Sequence, residues 1–206
     1  SSVEPDGGGL YSRRATNFLS WSFAQRIEHL IDAFRSLKKR RPECCYAWIS
    51  ILAIDQHVAQ EYDNPHVRWA LDFQDLVQKI GHTVLVFSPW KHPAPLTRLW
   101  CLWELFITSQ SKDIELSVEL PRDEETGFER AIAEGRGDEL FDEGIDSKSS
   151  IARSKAANTM IRRVVESRGD GVDAYGHVDE SVKLSLSKWL QYRNMRALLA
   201  LRSSEH

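Results

Sequence analysis

Apolar and polar residues alternate along the chain in blocks of two periods, short runs without helical spacing and longer runs repeating every three to four residues. The first block is Ala15 to Trp21 (ATNFLSW), a strand signal. It leads directly to Phe23, Ile27, Leu30, Ile31, Phe34 and Leu37, which mark an amphipathic helix ending in Lys38, Lys39, Arg40 and Arg41 before Pro42. Cations suit a helix C-terminus, so this basic run reads as a solvated helix end and not as a nucleic-acid patch. Cys44 to Ile54 is nearly all apolar, as expected of a strand covered on both faces. Val58 to Val67, with Asn64-Pro65 at its centre, predicts a long loop; Phe73, Leu76, Val77 and Ile80 predict a short helix stopped by Gly81. His82 to Trp90 is the clearest strand, Arg98 to Gln110 a helix, and Ile114 to Leu120 a half-exposed strand. Four strands alternating with helices predict parallel pairing with right-handed crossovers, an open α/β sheet with helices on both faces.

The remainder reads as helical. An acidic turn at Asp123 precedes Phe128 and Ile132, and Gly135, Gly137 and Gly144 interrupt the chain around an acidic stretch. Ser147 to Ser167 and Asp179 to about Leu201 carry helical spacing, separated by Gly169-Asp170-Gly171. Residues 1–13, rich in Ser, Pro, Asp and Gly, predict a flexible lead. The expected organisation is therefore one domain over 14–206, with a helical C-terminal extension over about 121–206.

Composition narrows the function classes. The chain has 206 residues, 27 Lys+Arg and 30 Asp+Glu, a net charge of -3 that argues against a dedicated nucleic-acid or anionic-lipid binder. No stretch is apolar enough to span a membrane, and the start lacks a secretion-signal core, so a soluble protein is expected. Cys44, Cys45 and Cys101 fit neither a disulfide framework nor a four-ligand zinc site, which favours the cytoplasm. Seven Trp supply large anchors for a core, pocket or interface.

The sharpest chemical signal is Glu104, the only ionisable carboxyl or amine from Leu99 to Gln110. An acid among Leu, Trp, Phe, Ile and Cys is costly to bury without a partner. Helical offsets put Thr97, Trp100, Cys101 and Thr108 on its face, so an indole is its expected neighbour. Two readings follow: a structural glutamate paired with Arg98 or a loop amide, or a carboxylate offered to a ligand. Strand ends in an open parallel sheet converge on a shared crevice. Here they carry Ser20 to Ser22, Asp55 to His57, and Ser88-Pro89, with the Glu104 helix following the last. Trp100 and Trp103 equally suit core packing.

Phe18-Leu19-Ser20, Ile54-Asp55, Val84 to Pro89 and Trp100-Cys101-Leu102-Trp103-Glu104-Leu105 resemble, in order and spacing, the successive motifs of Toll/interleukin receptor (TIR) domains, especially the plant-like form. The resemblance covers about residues 15–120. It implies a flavodoxin-like open parallel sheet, here with extra C-terminal helices. It also implies an NAD glycohydrolase or cyclase of stress or immune signalling, with Glu104 as the catalytic residue and activity promoted by self-association. Phe18, Ser20, Trp21, Asp55, Ser88 and Trp100 are the substrate-binding candidates. NAD would be the substrate; no cofactor, metal, nucleic acid or membrane is expected. This chain departs from the family in Trp21-Ser22-Phe23 and in the glycine-free segment Asp55 to Trp69, the marks of a divergent branch.

Cleaving a nicotinamide–ribose bond passes through an oxocarbenium-like state, and nicotinamide leaves readily, so one carboxylate suffices and no strong general acid is required. The rival from another class is a non-enzymatic TIR-like adaptor acting through homotypic assembly. A third reading is a nucleotide-binding module without cleavage. A Cys101 nucleophile served by His57, His82 or His92, and a metal held by Asp55, His57 and His66, are weaker alternatives.

Overall fold

The computed structural model describes residues 14–49, 65–141, 144–152, 155–167 and 173–203. Four strands form one sheet in the order β2-β1-β3-β4. They are β1 (Asn17–Ser20), β2 (Ala47–Trp48), β3 (His82–Val86) and β4 (Glu115–Glu119). All pairings are parallel, with Phe18 opposite Trp48 and Thr83, and Val84 opposite Ser117. An open parallel α/β sheet is thus present, as the strand–helix alternation predicts.

Between and after the strands lie α1 (Ile27–Arg40), α2 (Pro65–Ile80), α3 (Leu99–Ser109), α4 (Arg122–Ala133), α5 (Lys155–Ser167) and α6 (Ala174–Ser203). Period-2 alternation divides the core. Leu19, Val84 and Val86 pack with Leu30, Ala33 and Leu37 of α1. Phe18, Leu85 and Phe87 pack on the other face with Phe73 and Val77 of α2, much of α3, and the C-terminal helices. The chain steps leftward from β1 to β2, then rightward to β3 and β4. Right-handed crossovers therefore place α1 on one face and α2 and α3 on the other.

Several boundaries differ from those the sequence predicts. α2 starts at Pro65, because proline fits the first helical turn, where its missing N–H would have no partner. The second strand is only Ala47–Trp48 among the described residues, since Cys44 and Cys45 are held in turns by their N–H bonds to Arg41 and Glu43 carbonyls. α6 begins five residues before Asp179 and runs for 30 residues. α5 starts only at Lys155, because Asp146 first bonds the N–H and hydroxyl of Ser149 in a separate turn. Gly81 ends α2 with a φ of 73°, a conformation that favours glycine. Among the described residues no helix is long and apolar enough to cross a membrane.

Candidate functional site

In a sheet of this order, β1 and β3 are neighbours whose onward connections leave in opposite directions. Their C-terminal ends flank the position at which open α/β sheets bind ligands. Ser20 is the last residue of β1, and α3 follows the end of β3 across the face that carries Phe18 and Leu85. Alternation directs Ser20 to the same face as Phe18, towards α3.

There the Ser20 hydroxyl donates to Glu104 Oε2 at 2.6 Å. The Trp100 indole N–H, one helical turn earlier, also donates to the carboxylate. Glu104 is 1% exposed, and no ion pair among the described residues includes it. Burial pushes its pKa from 4.5 to about 8, opposed by the bonds from Ser20 and Trp100. Near neutrality this carboxyl therefore carries its proton, and a cationic group brought beside it would add to the bonds from Ser20 and Trp100 in favouring the anion. One turn further along α3, the Thr108 hydroxyl donates to the Glu104 carbonyl at 2.9 Å and meets Thr83 Oγ1 at 2.8 Å. Ser20, Glu104, Thr108 and Thr83 thus form a polar seam through an otherwise apolar helix–sheet contact.

The other candidates divide. Trp100 stands beside Glu104, its ring 6.0 Å from Phe73 in edge contact. Phe18 is fully buried, stacked on Trp48 at 5.3 Å and edge-on to Phe73 at 5.4 Å, so it supports the floor of the site and presents no surface to a ligand. Trp21 packs with the α1-side cluster, its ring 5.2 Å from Phe23, and its indole nitrogen is buried without a hydrogen-bond partner among the described residues. Ser88 is directed away from Glu104. Its hydroxyl bonds His29 Nδ1 of α1 at 2.8 Å, while its carbonyl accepts from Gln25. Asp55 and His57 lie outside the described residues.

The alternative chemistries find little support. The Cys101 thiol is buried and pushed well above its ordinary pKa by burial, which makes it inert. Among the described residues no cluster of His, Cys, Asp and Glu could hold a metal. A cavity of about 440 Å³ lies between Phe141, Ile145, Gly176 and Lys183, apart from the Glu104 seam.

Two arrangements escape sequence reasoning. His29 joins Ser88 to Asp123, whose Oδ2 lies 3.2 Å from its Nε2 but outside hydrogen-bond alignment. With Ser88 buried and Asp123 exposed, this line ties the segment after β3 to α1 and leaves α4 only alongside, and it lacks the accessible serine of a hydrolase. At the opposite end of the sheet, His82 bonds Asn17 and Ser117, both at 2.8 Å. The only sequence signal for either is a polar residue at a strand terminus. No family model, curated protein or solved structure matches the chain.

Proposed function

We propose that the chain is a divergent TIR-like domain of the flavodoxin-like class that cleaves the nicotinamide–ribose bond of NAD in a cytoplasmic stress or immune signalling pathway, and does so when self-associated. Three features support this reading: the motif order, the strand order 2-1-3-4, and above all a lone glutamate held at the β1/β3 switch point by Ser20 and Trp100. The three free cysteines fit a reducing compartment.

On this reading the cationic nicotinamide ring, entering the crevice, lowers the Glu104 pKa and restores the carboxylate. The anion then faces the ribose as its C1′–N bond breaks and positive charge develops on the sugar. Nicotinamide departs with the bonding electron pair as a neutral base. Water adds at C1′ and releases a proton, giving ADP-ribose, or an internal nucleophile of the same nucleotide closes a cyclic product. The Trp100 indole must release the carboxyl for this to occur, because its N–H and the ligand compete for the same oxygens.

The test is nicotinamide release by concentrated protein supplied with NAD, beside Glu104→Gln and Glu104→Ala. Turnover by the native chain and a fall of at least about 100-fold in both folded variants are expected. Equal release by all three would refute the assignment. The second reading, an assembly adaptor, is favoured by the near-complete burial of Glu104 among donors of its own chain; it predicts no release and no thermal shift with NAD. A shift without release would identify a binding module.

A further inference from the structure

α6 is buried along one face and carries exposed apolar residues among polar ones on the opposite face. Tyr175, Val178, Val182, Leu186 and Leu190 are buried against the domain. Opposite them, at 100° per residue, lie Leu184, Met195 and Leu198, which are 55%, 53% and 63% exposed. With Lys188 and Gln191 they alternate at spacings of three and four residues, the pattern of a seam between two helices. Large apolar residues repeated at helical spacing along the outer side of a helix point to a contact surface.

The seam carries three charges, Glu180, Lys188 and Arg202, and the two at its ends point to the occupant. Glu180 lies at its beginning and Arg202 at its end; both are exposed, and neither joins an ion pair among the described residues. They stand eleven residues to either side of Gln191, and Leu184 and Leu198 stand seven to either side. Two copies of α6 laid antiparallel about Gln191 would therefore match Leu184 with Leu198 and Glu180 with Arg202 at both ends. A parallel pair would oppose Glu180 to Glu180 and Arg202 to Arg202. From Glu180 to Arg202 the seam is about 33 Å long, six turns of helix.

We propose that α6 is a self-association surface, on which a second copy of this chain docks antiparallel with its two-fold axis at Gln191. This deepens the self-association in the reading above by naming its surface, yet it is measured without NAD and stands or falls separately from cleavage.

Sedimentation velocity of the full chain at about 100 µM, where micromolar association is nearly complete, is expected to give a dimer. Leu198→Glu, at a surface position that leaves folding intact by circular dichroism, should raise the dissociation constant at least about tenfold, since symmetry places the change at the interface twice. Glu180→Arg and Arg202→Glu should each weaken the dimer, and together restore it. In a Cys45→Ser background, Q191C should oxidise to a linked dimer while L198C alone does not, because only a residue on an antiparallel axis meets itself. A monomer throughout, an unaltered dimer in Leu198→Glu, failure of the charge swap, or equal self-linking of L198C would overturn the proposal.

Discussion

Replacing Glu104 by Gln should stabilise the protein above neutral pH. The folded carboxyl has a pKa of about 8 against an ordinary 4.5, because burial penalises the charge more than Ser20 and Trp100 repay. Between these values the folded state holds a proton that the unfolded chain has lost. Stability therefore falls as pH rises through this window, at about 1.4 kcal/mol per unit, and approaches a loss of about 5 kcal/mol near pH 8. Gln keeps the size and an acceptor oxygen but has no proton to lose. Urea unfolding at intervals from pH 5 to 8 is the assay. The two proteins should agree within about 1 kcal/mol at the acid end, with the variant ahead by several kcal/mol at the alkaline end. For a chain of this length the alkaline gap corresponds to about 10–20 °C in melting temperature. Parallel stability curves would refute the reasoning, since they would mean that the carboxyl titrates as it does in water.

Ser20→Ala removes the 2.6 Å donor that favours the charged carboxylate; a loss of about 1–2 kcal/mol is expected, larger at pH 8 than at pH 5, again by urea unfolding. His82→Ala strands the Asn17 and Ser117 side chains and opens a hole, costing about 3 kcal/mol. Burial lowers the His82 pKa, so the unfolded chain binds that proton first. Its contribution is accordingly lost as pH falls through about 6.5, a slope that the variant should lack. Gly81→Ala meets no atom closer than 3.9 Å, so its cost of about 1 kcal/mol should reflect backbone conformation alone and appear as a lower urea midpoint with an unchanged m-value.

β3 and α3 were legible because their apolar runs are long and end in Ser-Pro and Gln-Ser respectively, where the pattern stops abruptly. The start of α2 is not legible because Pro65 serves equally as a loop breaker and as a first helical residue, and local sequence does not decide between them. The Glu104–Trp100 contact follows from helical spacing alone, and the Ser20 partner from the convergence of strand ends. Ser88 shows where such convergence fails: it belongs to the strand end, yet its hydroxyl bonds α1 and leaves the α3 side to Ser20. The Thr83–Thr108 pair has no local signature, because two threonines become partners only once the helix lies across the sheet.

β4 forms one outer border of the sheet among the described residues, and its placement of acids bears on how copies of the chain can meet. Glu115 and Glu119 share the face of Val84 and Val86, beneath the C-terminal end of α1, where Arg41 and Arg40 grip them. A foreign strand adding to this border would have to lie beside these arginine-paired carboxyl groups, a poor template for fibre growth. Sheet continuation at the β4 border is thereby discouraged, which favours contacts between copies that are finite and reversible over an extended strand ladder on this side.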